Sequence, residues 1–265
     1  MIRSEPARWK RARREKQGRK GAEMGVFGAL SEVSRRKKLQ MFLELMRPSR
    51  DTTILDVGAQ VSPRGTRGLQ FIDSYPWKDQ ITAINLSPDH VGEIQQHYPQ
   101  VEARVADACQ LPWPDKHFDI AYSNAVIEHV GDWRRQRQMA SEIMRVAKAW
   151  FVTTPNRWYP YEFHLRLPFV TWLPAHGYRW VGAFFGYDHV RHRYRFWWQA
   201  NRGLRLLSAR MLHQCFPDGR VVAVRVTFWP ETLIAAGPHE IWRWDSQEHE
   251  TDLELSAPGA AGRAG

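Results

Sequence analysis

Two aspartates, Asp56 and Asp107, close short apolar runs and are candidates to meet a ligand, although Asp107 could also be a turn residue. Asp56 closes TTILD and is followed by Val57-Gly58-Ala59-Gln60, while Asp107 closes VEARVAD and is followed by Ala108. An ionised carboxylate accepts hydrogen bonds, and a glycine lets the backbone approach a partner closely. Asp56 could instead cap its own turn; the apolar run before it and Gly58 after it favour contact with a ligand. Asn85 ends another apolar run and can accept through its amide oxygen without bringing charge. His129, preceded by Glu128, and His164, two residues after Glu162, are able to move protons. Cys109 and Cys215 lie far apart without CxxC or Cys/His ligand spacing, and read as two reduced, buried thiols. No His/Asp/Glu cluster has metal-ligand spacing, so no metal is expected.

The elements that must hold these groups alternate. A helix is expected from about Ser31, which could cap it, with Leu39, Phe42, Leu43 and Met46 at helical spacing until Pro48. TTILDVG reads as a strand, GTRGLQFIDSY as a short helix, QITAINL as a strand and PDHVGEIQQHY as a helix ended by Pro99. VEARVAD and FDIAYSN are strands, DWRRQRQMASEIMRVA an amphipathic helix and AWFVTTPN a further strand. Such alternation predicts an α/β fold with a parallel sheet covered on both faces and right-handed crossovers. Ligands then bind beyond the carboxyl ends of the strands, where strand order reverses, which directs attention to the end of the first strand. After Asn156 the rhythm breaks. It returns with LSARMLHQCF as a helix, followed by the strands RVVAVRVTFW and TLIAAG.

Asp56-Val57-Gly58-Ala59-Gln60 resembles the first motif of class I S-adenosylmethionine-dependent methyltransferases, with Gln60 and Ser62 where that family usually has glycine. ITAINLSPDHV is similar to the family's second strand and following helix, with Asn85 near the usual acid. VADACQLPWPDKHFDIAYSNAVIEHV matches its third motif, and the resemblance runs in order from about Thr52 to Pro155. It implies a Rossmann-like, seven-stranded, mostly parallel sheet with helices on both faces, closed by a late hairpin that inserts an antiparallel strand. It also implies S-adenosylmethionine as cofactor. Asp56, Gly58, Ala59, Asn85, Leu86, Asp107, Ala108 and Asn124 would hold it, with Asp107 meeting the adenine amine and Ala108 giving a backbone N–H to the ring. Methyl transfer from a sulfonium mainly needs an acceptor aligned opposite the sulfur and water kept out. A base is required only where a hydroxyl or amine must lose its proton. The catalytic candidates are His129 and His164, with Glu162 orienting or substituting; for His129, catalysis and packing weigh equally. SNAV stands where enzymes that methylate the amino groups of DNA, RNA and glutamine carry an NPPY-type tetrapeptide, and no Pro-Cys pair serves pyrimidine C5 chemistry.

The net charge of +10 is localised: residues 1–20 carry +7, residues 21–156 are neutral and residues 157–225 carry +8. The chain is read as a basic, disordered arm (1–28), a cofactor-binding half (29–156), an aromatic and Arg-rich insertion (157–203), the closing helix and strands (204–244) and a disordered tail (245–265). The segment TTPNRWYPYEFHLRLPFVTWLP resembles an insertion in bacterial methyltransferases found among polysaccharide and glycolipid genes. Leu165, Leu167, Phe169, Val170, Trp172, Leu173, Trp180, Val181, Phe184 and Phe185, ringed by Arg166, Arg179, Arg191, Arg193 and Arg195, would suit an anionic lipid interface. They would equally suit a cap with its own core and a solvated rim; single-stranded nucleic acid ranks lower.

The sequence thus predicts a methyltransferase acting on a small-molecule, glycosylated or lipid-linked acceptor, with oxygen favoured as the atom methylated. No apolar region follows the basic N-terminus as in a secretory leader, and no run is long enough to span a bilayer. The expected location is the cytoplasm, with peripheral contact at the inner face of the membrane left open. The competing readings are an RNA methyltransferase and a non-catalytic adaptor of the same fold, the latter motivated by Gln60, Ser62 and Asn85.

Overall fold

The structure is a computed structural model, and it describes residues 27–62, 70–162, 167–184, 186–188, 193–195, 204–225 and 227–242. The expected basic arm, apart from its last two residues, and the expected acidic tail lie outside these residues, as does His164.

Seven strands form the central sheet: β1 (Ile54–Val57), β2 (Ile81–Asn85), β3 (Glu102–Val105), β4 (Phe118–Asn124), β5 (Ala147–Pro155), β10 (Arg220–Arg225) and β11 (Pro230–Gly237). Their order is β10-β11-β5-β4-β1-β2-β3. β11 alone runs antiparallel to its neighbours, wedged between β5 and β10. This is the mostly parallel sheet, closed by a late hairpin that inserts an antiparallel strand, that the resemblance implies. Because β11 runs backwards, its first residues, Pro230 to Thr232, lie beside the last of β5, with Thr232 opposite Pro155.

Helices α1 (Phe27–Met46), α2 (Phe71–Ser74), α3 (Pro88–His97), α4 (Trp133–Val146) and α6 (Ala209–Cys215) flank the sheet; α5 (Ala175–Phe184) belongs to the segment after Asn156. Ser31, expected as a cap, lies inside α1, which is helical from Phe27. α1 ends where Arg47 turns left-handed at φ 44°, just before Pro48. Of the short helix expected over GTRGLQFIDSY, only Phe71–Ser74 is seen as helix, residues 63–69 lying outside the described set. Asp132 caps α4 by accepting from the Arg135 N–H at 2.9 Å, and Ser208 caps α6.

Side-chain alternation along the strands separates two cores. Leu55, Val57 and Ala121 face α4 and α6, with Met139, Ile143, Trp150 and Phe216. Ile54, Ile120 and Tyr122 face α1 and α2, with Phe42, Phe71 and Phe151. There Phe42 stands edge-on to Phe71, Tyr122 and Phe151 at centroid distances of 5.1, 5.4 and 5.5 Å. Aromatic pairs in this geometry contribute about 0.5–1.5 kcal/mol each beyond their burial. They seat α1 against the sheet.

After Asn156 the chain forms two small ladders, β6 (Tyr161–Glu162) with β7 (Leu167–Pro168) and β8 (Gly186–Asp188) with β9 (Arg193–Arg195). Val170, Tyr178, Leu204 and Leu206 make a separate apolar cluster there. Of the apolar residues expected to form an interface, Val170 is therefore internal, while Phe169, Trp172, Leu173 and Trp180 are exposed. Among the described residues, no helix is long and apolar enough to cross a membrane.

Candidate active site

Parallel strands deliver their carboxyl ends to one edge, and strand order reverses there between β1 and β4. Gly58 follows β1 with φ +79°, a conformation glycine adopts freely. A Cβ at this position would sit 2.3 Å from Val126 Cγ2. The turn thus has two independent reasons to be glycine. Its N–H and that of Ala59 donate to Ile84 O at 2.8 and 3.0 Å, tying the turn to β2.

A cavity of about 400 Å³ opens at this edge, lined by Gly58, Gln60, Asn85, Leu86, Asp107, Ala108, His129 and Arg135 among others. Its volume is within the range of small-molecule sites. Gln60 is exposed and stands on the wall rather than filling the space. Ser62, in the other glycine position, donates to Asp73.

Asn85 is partly occupied by its own turn: Nδ2 donates to Ala59 O and Oδ1 accepts from Ser87 N–H, both at 2.9 Å. The second lone pair of Oδ1 stays open to a hydroxyl. Asp107 Oδ1 accepts from Cys109 N–H at 2.9 Å and Oδ2 from Arg135 at 2.8 Å. The Cys109 N–H first, then Arg135, hold this carboxyl below its ordinary range and keep it an anionic acceptor. Ala108 N–H makes no hydrogen bond within the described residues.

Asp56 points to the other face of β1, beside Tyr122, and lines a narrow cleft with Gly58, Ala59, Gln60, Gln70, Phe71 and Asn124. Val57, Gly58 and Gln60 also line the larger cavity, so the two spaces adjoin across the turn. Asp56 is only 4% exposed, and among the described residues no donor reaches its carboxyl. Burial, with Asp73 nearby, pushes it up to about 7. A buried carboxyl without a donor is costly unless a ligand supplies one.

Asn124, at the end of β4, accepts through Oδ1 from Lys38 at 2.8 Å and from the Thr153 hydroxyl at 2.7 Å. That fixes the amide with its NH2 free to donate.

The segment from Leu55 to Ala149 matches the family model described as "Methyltransferase domain". The likeness to a methyltransferase domain is confined to this segment of the chain. In two strains of Mycobacterium tuberculosis, a protein named a probable S-adenosylmethionine-dependent methyltransferase is 32% identical over 78 residues, which are 29% of this chain and 28% of that protein. The match therefore spans under a third of these relatives' length. Among solved structures, magnesium protoporphyrin IX methyltransferase from Synechocystis PCC 6803, solved with bound SAH, is 12% identical, covers 80% of this chain and 86% of its own, and superposes with a TM-score of 0.49. PH0226 from Pyrococcus horikoshii OT3 gives 16% identity, 76% and 89% coverage and a TM-score of 0.48.

In the matched segment, Gly58, Asn85, Leu86, Asp107, Ala108 and His129 share the large cavity, while Asp56, Ala59 and Asn124 line the cleft beside it. The residues fit an adenosyl group with an amino-acid tail: an anionic acceptor with a free backbone N–H at one end, a Cβ-free turn in the middle and a donor-less carboxyl beyond. His129 is half exposed, with Nε2 3.9 Å from Oε1 of the fully buried Glu128. Glu128 points the other way as well, accepting from the Thr154 hydroxyl at 3.0 Å. Glu162 lines neither the cavity nor the cleft; it is buried in β6, where its charge, after burial, raises the Tyr178 phenol.

Sequence reasoning missed Arg135, Gln70 and Lys38 as walls of the site. Arg135 and Gln70 carry no local signal. Lys38 does: it precedes Phe42 by one helical turn, a cation on the apolar face of α1.

Proposed function

We propose that this protein transfers a methyl group from S-adenosylmethionine to an oxygen of a glycosylated or lipid-linked small molecule, working in the cytoplasm at the inner face of a membrane. The observation that carries the donor half is the placing of Asp107, Ala108, Asn85 and the Gly58 turn around one cavity of about 400 Å³ at the carboxyl ends of the strands, with Asp56 in the adjoining cleft. Asp107 and Ala108 would hold the adenine edge, the open lone pair of Asn85 a ribose hydroxyl, Leu86 one face of the ring, and the Gly58-Ala59 turn the sulfur side. When bound, the donor supplies an activated methyl group and a neutral leaving group; the protein's own work is alignment, exclusion of water and handling of one proton.

For that proton, His129 is the candidate supported by position, since it is accessible on the cavity wall and its Nε2 faces Glu128 Oε1. A carboxylate behind an imidazole stabilises the protonated ring and orients it. Glu162 is assigned to holding the segment after β5 in shape; His164 keeps its place as an alternative base from the same segment.

The acceptor class rests on surface chemistry near the site. Trp158, Phe169, Trp172, Leu173 and Trp180 of the insertion are exposed, as are Phe228 and Trp229 in the β10–β11 turn. The Tyr159 hydroxyl lies 3.2 Å from Thr227 Oγ1, so the two groups adjoin. Aromatic clusters on a segment of net charge +8 suit an anionic bilayer face.

Calorimetry tests the donor half: the wild-type protein is expected to bind S-adenosylmethionine and its demethylated product at micromolar concentration. No binding at millimolar cofactor would favour a non-catalytic adaptor. Transfer of labelled methyl to lipid-linked saccharide extracts, and not to RNA, is the expected activity; labelled RNA would overturn the acceptor class.

A further inference from the structure

The chain comes back from the insertion along residues 204–207, and successive side chains of this stretch turn to opposite sides. Leu204 and Leu206 are buried with Val170 and Tyr178 in the insertion's own cluster, while Leu207 is buried in the core beneath α4 and α6. One short stretch thus belongs to two cores. Its backbone is also tied to the carboxyl edge of the sheet. Arg157 N–H donates to Leu207 O at 3.0 Å, and Arg205 N–H donates to Glu128 O at 2.8 Å. The residue after Glu128 is His129, on the wall of the large cavity.

Gln136 holds this junction from below. It continues the inward row of α4 that includes Met139, Ala140, Ile143 and Val146, and it is fully buried. A buried amide in an apolar row destabilises the fold unless each polar atom finds a partner. Here each does. Nε2 donates to Ile127 O at 3.1 Å and to Arg205 O at 2.8 Å, and Oε1 accepts from Arg205 Nη1 at 3.1 Å. The half-buried Arg205 guanidinium lies over the Trp133 ring, 5.1 Å from its centroid. A leucine would fill the row as well and would hold neither carbonyl. The amide therefore does one thing that packing does not require: it joins the turn Ile127–His129 to the returning stretch.

We propose that Gln136 is a positioning residue, which with Arg205 holds the His129 turn and the root of the insertion in one register. The imidazole that takes the acceptor's proton and the segment that presents the acceptor are then set by the same amide. This rests on the reading of His129 as the base.

Two measurements test it. Carbethoxylation by diethyl pyrocarbonate, followed at each histidine by mass spectrometry, needs no acceptor. In Gln136→Met, His129 should react about threefold or more faster than in wild type, because its turn is released. His97 and His239, exposed and on other elements, should react at unchanged rates. The second measurement is transfer of labelled methyl to lipid-linked saccharide extracts. His129→Ala and Gln136→Met should each lower kcat about tenfold or more without moving the KM for S-adenosylmethionine. The double variant should be no slower than His129→Ala alone. Gln136→Glu, which keeps an acceptor for Arg205, should fall between Gln136→Met and wild type. Should Gln136→Met fail to fold, Arg205→Met, altered at a half-buried side chain, carries the same expectations. An unchanged His129 reaction rate in the folded variants would overturn the proposal, as would multiplying losses in the double variant. Wild-type turnover in His129→Ala removes the base reading, and the positioning role with it. If no methyl is transferred at all, the carbethoxylation rates decide alone.

Discussion

At the scale of single residues, the site is built from groups that the fold would be more stable without. Asp56 shows this through pH. Its pKa is near 3.8 when unfolded and about 7 when folded. Between those values the unfolded chain releases the proton while the native state holds it, so stability falls as pH rises through that window and levels off above it. Asp56→Asn should raise Tm by several degrees at pH 8, leave it unchanged near pH 4, and weaken S-adenosylhomocysteine; thermal melts across pH measure the first two. A wild-type-like pH slope in this variant would show that Asp56 is already ionised in the native state. Gly58→Ala must place a methyl group on Val126 and hold alanine at φ +79°. The expected loss is about 2–4 kcal/mol in urea unfolding. Asp107→Ala removes one charged acceptor at the proposed adenine end and should weaken the nucleoside about tenfold or more. Unchanged affinity in a folded Asp107→Ala protein would remove Asp107 from the site.

At the scale of elements, α1 is held by one side chain more than by any other: Phe42, which is fully buried among Phe71, Tyr122 and Phe151. Phe42→Ala should cost about 3–5 kcal/mol in urea unfolding. The periodicity of Leu39, Phe42 and Met46 made the helix itself legible in the sequence, and the apolar runs ending in Asp56, Asn85 and Asp107 made the parallel strands legible. Those signals are local. The placement of Lys38 over Asn124 joins positions 86 residues apart, and the delivery of Pro230–Thr232 to the end of β5 depends on a reversed strand. Neither has a spacing to read.

For the whole molecule, charge and aromatic surface act together. The insertion and the β10–β11 turn expose large rings next to one another, and the rings of the insertion lie in the basic segment 157–225. Vesicles rich in anionic lipid should sediment the protein at low salt and release part of it at high salt, since the Coulombic share is screened and the apolar share is not. Replacing Trp180 and Phe228 with serine should lower the salt-resistant fraction without moving Tm, as both side chains are exposed. Equal recovery in the supernatant with and without vesicles would count against the membrane face. Composition announced this surface only in part: Trp172 and Trp180 stay outside while Val170 turns inward, a sorting that depends on which residues Leu204 and Leu206 reach from beyond the insertion.

The seating of α1 over one end of the cleft has a consequence for traffic. Leu86 and Asp107, at the opposite end, are open to solvent, whereas the α1 end is closed by a helix whose unseating would tear out Phe42. On the proposed donor reading, a ligand of this cavity enters and leaves from the Leu86 side. Turnover then becomes sensitive to anything that leans on the Leu86 side, and insensitive to crowding at α1.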